Sequence, residues 1–305
     1  MDSRTDSDHS DSVAIVATGL GRFVVGDEAA VCDPLPHLRV KKLRKYMGVQ
    51  DDMAVVAASR AVTAAGLSAS ELGERAGLYW ATGYIPFERR DLESLAVAAT
   101  DHESNAFSMQ RLSTTGFHAV NGLLTFQCLP NMPAFHISAN LDLQGPYFVT
   151  YPGPGQWYVA LEQARWALSN GDVDVALVGG VAYQNNALVR HHFERLERPV
   201  PVTSLRDAAG CLVLERREHA ESRGANVVAK LLDLNVTYQS FDPFADEPAF
   251  REEVTTDAEQ VAAEFTGPAS LAVVLSRLAG QVHGSVRHQL QSRDGIVAAS
   301  AWELP

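Results

Sequence analysis

The 305-residue chain holds three cysteines, Cys32, Cys128 and Cys211, and their thiols are the first candidates for nucleophilic chemistry. Cys32 and Cys211 sit beside apolar residues and read as reduced, mostly buried thiols of an intracellular protein. Cys128, in Phe126-Gln127-Cys128-Leu129-Pro130, lies nearest a plausible pocket, and a small buried hydrophobe fits the same context. His191 and His192 invite a metal reading, but adjacent residues on a helix point different ways. No Cys/His/Asp cluster has ligand spacing, so neither metal nor cofactor is expected. Tyr147, Tyr151, Gln156, Trp157 and Tyr158 surround the turn Tyr151-Pro152-Gly153-Pro154-Gly155, where they either line an acyl or aromatic pocket or pack as core. Asp207 precedes a glycine-bearing apolar run and is placed to brace a loop. His283 and His288 read as surface or structural histidines. The sequence has no Gly-x-Ser-x-Gly, no phosphate-cradling glycine loop and no dinucleotide fingerprint.

These residues need a scaffold, and the apolar pattern supplies one. Val13–Gly21 and Gly77–Gly83 are short apolar runs ending in glycine, the pattern of buried strands. Between them Met53–Ala65 is an alanine-rich helix, with Asp51 or Asp52 to cap it and Gly66 to end it. The stretch from Asp91 to Asn131 reads as helix with polar interruptions, stopped by Pro130 and Pro133. His136–Asn140 and Gly145–Thr150 read as short strands. The Pro/Gly turn then leads into a helix over Gln156–Ser169, with Trp157, Ala160, Leu161, Ala164 and Leu168 on one face. Val173–Gly180 is a buried strand, so strand, helix and strand form a parallel unit covered by helices. Ala209–Glu215 and Val227–Val236 add strands around a short helix at Arg217–Arg223. Beyond Pro243 and Pro248, helices are expected near Ala249–Phe265 and Ala269–Ala279. Gly284–Ser292 and Gly295–Glu303 read as a final hairpin.

Charge narrows the partners. Lys and Arg number 25 against 37 Asp and Glu, a net charge of −12, which argues against sequence-independent binding to nucleic acid. The basic run Lys41-Lys42-Leu43-Arg44-Lys45 reads as a solvated helix start or local contact. Residues 1–12 are acidic and polar, unlike a secretory or transit segment, and read as a disordered tail. No run approaches the roughly 18 apolar residues that span a bilayer. A cytoplasmic protein without membrane contact is expected.

The order of short motifs resembles the β-ketoacyl synthases. Leu43-Arg44-Lys45-Tyr46-Met47-Gly48 before an alanine-rich helix is similar to that family's entry segment, and Ala81-Thr82-Gly83 to the turn after its second strand. Gly145-Pro146, then a strand, a tight turn and a helix, resembles the segment carrying the family's nucleophile. Asp172–Gly180 is similar to the strand that follows. Ala208–Glu215 with Ala220 and Arg223-Gly224-Ala225 is close to its glycine-rich strand and next helix. The resemblance covers residues 43–236 and implies a thiolase-like, layered α/β/α/β/α fold with mixed sheets and a shortened second half. One domain is then expected over 13–305: a ketosynthase-like half over 13–236, a linker loop over 237–248, and the short half over 249–305.

The departures from the family carry the functional expectation. Its members place a cysteine at the N-terminus of the buried helix, where the helix dipole and backbone N–H groups stabilise thiolate and oxyanion. Counting from Gly145-Pro146 puts that position on Pro154, which has neither a nucleophilic side chain nor an N–H. No His-Gly-Thr occurs, and Thr255-Thr256-Asp257-Ala258-Glu259 stands as a relic of that motif's surroundings. The resemblance therefore implies no catalytic residue, and a role like that of a chain-length factor. Such a subunit pairs with an active ketosynthase as a heterodimer, meets the acyl carrier protein indirectly, and shapes the partner's acyl tunnel in type II polyketide or fatty-acid-like biosynthesis. It places the interface on Phe107–Phe126 and Tyr147–Tyr151, with Phe117, Leu124, Phe126, Tyr147, Tyr151 and Trp157 as interface or tunnel candidates. An alternative is an enzyme reusing the acyl pocket for cyclisation, dehydration or acyl transfer, with Tyr151, Tyr158 or His136 as acid or base. A third is a scaffold or carrier-docking module, although two acidic surfaces repel each other.

Overall fold

The computed structural model describes residues 13–27, 31–195, 201–239, 250–261, 264–292 and 294–305. Ten strands form one mixed sheet: β1 (Ile15–Val24), β2 (Ala76–Thr82), β3 (Tyr147–Thr150), β4 (Val175–Ala182), β5 (Ala208–Arg216), β6 (Ala229–Tyr238), β7 (Arg251–Thr256), β8 (Gln260–Val261), β9 (Gly284–Gln291) and β10 (Ile296–Leu304). The principal helices are α1 (Val49–Ala64), α2 (Arg89–Ala99), α3 (Met132–Leu141), α4 (Gln156–Ser169), α5 (Ala187–Glu194) and α6 (Ser270–Leu278).

The strand order is β3-β2-β4-β5-β1-β6-β10-β9-β7-β8. Among the described residues its two halves pair through Val16↔Lys230 and Ala17↔Ala229. Read inward from its outer edge, the second half runs β8-β7-β9-β10-β6, the same third-second-fourth-fifth-first order as the first half. The chain therefore carries an internal structural repeat that its residue types hide. In the first half β2 runs parallel to β3 and β4, because long crossovers link them, whereas β5 is antiparallel to β4 and β1. In the second half the short link Asp257–Glu259 cannot make a parallel crossover, and β6 to β10 pair entirely antiparallel.

The layers follow from which faces are apolar. Helices α1 and α3 cover the outer face of the first half through Val55, Ala58, Val62, Ala134 and Ile137 against Leu78, Trp80, Leu177 and Val213. Helices α4 and α6 fill the space between the halves, where Trp157, Leu161, Leu168, Leu271 and Leu275 meet Val286, Leu290, Ala298 and Trp302. Both β9 and β10 alternate strictly, with Val286, His288, Leu290, Ala298, Ser300 and Trp302 facing inward. Their other face is polar on β9 but carries Val297, Ala299 and Ala301 on β10, and it bears a groove of about 410 Å³ lined by Asn235, Arg251, Glu253, Gln289, Gln291, Val297 and Ala299. Among the described residues no helix lies on that face. The second half therefore has no outer helical layer among the described residues, and that face of its sheet is open to solvent.

A buried ion cluster pins the first half. Glu215 on β5 is fully sealed and accepts two bonds from the Arg223 guanidinium (2.6 and 2.8 Å), one from Thr18 (2.5 Å) and one from His219 (2.7 Å). Burial alone would raise this carboxyl's pKa, but Arg223, Thr18 and His219 outweigh it and hold it below the usual value. Within the basic run, Arg44 pairs with Asp52 at 2.9 Å, a local contact as expected.

Four expectations are corrected. His136–Asn140 is not a strand but part of α3, whose Ala134, Ile137 and Leu141 recur at helical spacing behind Pro133 in the first turn. Residues 251–261 are not helix but β7 and β8, where Val254-Thr255-Thr256 brings β-branched residues that favour strand. The stretch 91–131 breaks after α2 into the Thr100↔Phe107 bridge, short turns and a single helical turn at Leu124–Cys128. Thr237 and Tyr238 belong to β6 rather than to a linker. The expected tail over 1–12 and the linker residues 240–248 lie outside the described residues. Among the described residues no single helix is long and apolar enough to cross a membrane.

Candidate functional site

Strand β3 leads into α4 through Tyr151–Gly155, and the backbone there needs its glycines. Gly153 has φ of +102°, a conformation L side chains rarely adopt. At Gly155 a Cβ would overlap Ser292 Oγ and come within 2.8 Å of Ile296 Cβ, so the turn can lie against the β9–β10 hairpin only without a side chain. Half-buried Pro154 opens onto a pocket of about 70 Å³. Tyr84, His192, Phe193, Phe250 and Pro268 give its walls an aromatic and apolar character, with Asp294 at one side. The Asp294 carboxylate accepts from Gln156 Nε2 at 2.8 Å and from Ser292 Oγ. A carboxylate thus stands at the start of α4, where the positive end of the helix dipole favours negative charge.

Behind Pro154 lies a sealed chain of polar side chains. Trp302 Nε1 donates to Ser300 Oγ (3.0 Å), and Ser300 Oγ lies 3.1 Å from Tyr158 Oη. Tyr158 Oη meets His288 Nδ1 at 2.6 Å, and His288 Nε2 meets Glu252 Oε1 at 3.0 Å. Ser270 Oγ also donates to Glu252 Oε1. A carboxylate only accepts, so Nε2 carries the imidazole proton and Nδ1 accepts from the tyrosine. Every donor in the chain then points toward Glu252, an alignment in which each bond polarises the next. Burial pushes the Tyr158 phenol well above its ordinary pKa and keeps it protonated.

The β-ketoacyl synthase N-terminal domain matches residues 10–201, well over half of the chain. This chain belongs to the β-ketoacyl synthase family. Among curated relatives it is similar to 3-oxoacyl-[acyl-carrier-protein] synthase 2 of Mycobacterium tuberculosis (strain ATCC 25618 / H37Rv). That match is 24% identical over 178 residues, covering 52% of this chain and 42% of the relative. It is also similar to Nodulation protein E of Rhizobium sp. (strain N33), 25% identical over 201 residues, covering 62% of this chain and 46% of that protein. The chain thus spans less than half the length of these relatives.

The fold extends the likeness along the whole chain. The structure of a type II PKS acyl-carrier protein in complex with its ketosynthase bound to the hexaketide gives a TM-score of 0.70 at 15% identity, covering 96% of this chain and 99% of the other. The ishigamide ketosynthase/chain length factor gives 0.69 at 15%, covering 96% and 100%. At these identities the likeness is one of fold, and the thiolase-like architecture expected from the motifs is present.

Within this ketosynthase fold the candidate residues scatter into three groups. Phe117 (78% exposed), Phe126 and Tyr147 (72%) are exposed, Tyr151 only just so, and Leu124 is half-buried. Phe126 packs edge-on to Tyr46 with ring centroids 5.6 Å apart. Trp157, by contrast, is 2% exposed and belongs to the central layer between the halves. His136 is sealed under α1, where burial pushes its pKa down to about 4 and Asp51 Oδ2 lies 3.9 Å from Nε2. It is not gathered with Tyr151 or Tyr158.

The remaining polar candidates find structural partners. Asp207 braces a loop as expected, accepting the N–H groups of Gln184 (2.7 Å) and Asn185 (2.8 Å). His191 is exposed, whereas His192 tilts against Tyr84, and among the described residues no His/Cys/Asp/Glu group could hold a metal. Cys128 and Cys211 are buried and Cys32 half-buried, and none lines the Pro154 pocket. Burial drives the Cys211 thiol far above its ordinary pKa, which leaves it inert.

Sequence reasoning missed Glu252, Asp294, Ser292 and Ser300. Assigning 249–265 to a helix hid Glu252 from His288. The available signal was the alternation His288-Gln289-Leu290 and Ala298-Ala299-Ser300, which puts both polar residues on the apolar face of the hairpin.

Proposed function

We propose that this chain is a non-catalytic ketosynthase-like subunit that pairs with an active ketosynthase and shapes its acyl tunnel, in the manner of a chain-length factor. Pro154 carries this reading: it stands at the start of α4, where the family's cysteine would stand, and none of the residues lining its pocket bears a thiol. A pocket of about 70 Å³ is far below the several hundred Å³ of ordinary ligand sites, so a growing chain would have to lie mainly in the partner.

Two further features support pairing. Among the described residues the edge strand β3 bonds only to β2 and leaves its other side unpaired, a template for strand addition. Near it in sequence, Phe107, Met109, Phe117, Phe126 and Phe135 are exposed large apolar side chains, of the type that anchors interfaces. In this proposal the active partner also supplies the docking face for the carrier protein, and the pair works in the cytoplasm.

Co-expression with the cognate ketosynthase tests the reading. A heterodimer that co-purifies, and a product length that changes with bulk at Phe117 or Phe126, is the expected result. Thioester-linked acylation of the purified chain alone, followed by elongation, overturns it.

A further inference from the structure

We propose that a single buried water molecule is a built-in part of this protein, held directly behind Pro154 by Trp157, Glu252 and Ser270. The site is a small cavity of about 10 Å³, lined by Pro154, Trp157, Glu252, Ser270 and His288 with apolar neighbours. That is about the volume one water needs, and too little for anything larger.

Two polar atoms among the residues lining this cavity lack protein partners. Trp157 Nε1 is a buried donor and Glu252 Oε2 a buried acceptor, and neither meets a hydrogen-bonding group among the described residues. Trp157 is 2% exposed and the Glu252 side chain 1%. A buried donor and a buried acceptor beside one water-sized space are the pair a bridging water satisfies. The water accepts from Trp157 Nε1 and donates to Glu252 Oε2. Its second proton reaches Ser270 Oγ, whose own hydrogen is spent on Glu252 Oε1. Three partners are the usual number for a buried water.

Placed there, the water completes the polar chain. Trp302, Ser300, Tyr158, His288 and Glu252 already form a line of hydrogen bonds, and the water returns it from β7 to α4. Pro154, Gly267 and Pro268 line both this cavity and the outer pocket, so the two adjoin at these residues.

Nuclear magnetic resonance on the intact chain tests this. A rotating-frame cross-peak from water to the Trp157 indole N–H, assigned by its disappearance in Trp157→Phe, is the expected result. The indole of Trp302, bonded to Ser300, serves as the internal control without such a peak. A high-resolution crystal structure should show one isolated density about 2.7–3.2 Å from both Trp157 Nε1 and Glu252 Oε2. An empty cavity in that map, or Glu252 Oε2 bonded directly to a protein donor, overturns the proposal, as does a Trp157 indole with no water cross-peak.

Discussion

Tyr158 on α4 and His288 on β9 are joined by a 2.6 Å hydrogen bond between Oη and Nδ1, and both are about 1% exposed. That bond ties the helix to the second half of the sheet. Glu252 and Ser300 extend it on either side, so four elements share one polar core.

Removing the links should therefore cost stability rather than activity. Tyr158→Phe strands His288 Nδ1 and should destabilise the chain by about 1–3 kcal/mol. His288→Ala also leaves a cavity and an abandoned Glu252, and should cost about 3–5 kcal/mol. Urea unfolding of both variants measures this, and a Tyr158→Phe chain as stable as the parent would contradict the structural role.

The Glu215 cluster sets the acid limit. This carboxyl's pKa is lowered from 4.5 in the fold, so its contribution is complete above the unfolded value and fades as pH falls through the folded one. Stability should decline below about pH 4.5. At neutral pH, Arg223→Ala takes the guanidinium from a sealed carboxylate and leaves it only Thr18 and His219, which should cost about 3–5 kcal/mol. Unfolding midpoints across pH for parent and Arg223→Ala test both statements.

Asp52 has the opposite sign. Burial outweighs its partner Arg44 and lifts the carboxyl from 3.8 to about 6. The fold favours the neutral acid, so this group's contribution is present below pH 3.8 and disappears as pH rises through about 6. Asp52→Asn should match the parent near pH 4 and exceed it in stability at pH 7. A difference between the two that stays constant across this range would refute the assignment.

At the turn before α4, Gly155→Ala forces a methyl into Ser292 and Ile296 and should destabilise by about 1–3 kcal/mol. Thermal unfolding reads this directly, and a neutral result would mean the turn and hairpin are not packed as described.

At the surface, Phe117→Asp should leave the isolated chain within about 0.5 kcal/mol of the parent, because Phe117 is 78% exposed. The same change should reduce co-purification with the partner ketosynthase at least about tenfold, a loss of roughly 1.4 kcal/mol. Undiminished pairing would move the interface elsewhere.

The sequence by itself determined six elements of the first half of this protein. The apolar runs of β1, β2, β4 and β5, the alanines of α1 and the 3–4 spacing of α4 are local signals, and each element formed where its pattern lay. The expectation for Pro154 came from counting along one contiguous motif. Only the tertiary structure decided the rest. Glu252, His288 and Tyr158 are separated by up to 130 residues, and nothing local marks a buried histidine as the partner of a distant tyrosine. Likewise Val254-Thr255-Thr256 became strand because β9 offers it a pairing edge, and His136 joined a helix because α1 offers it a face to cover. Such outcomes depend on which surfaces meet, and that is settled by long-range packing rather than by residue type.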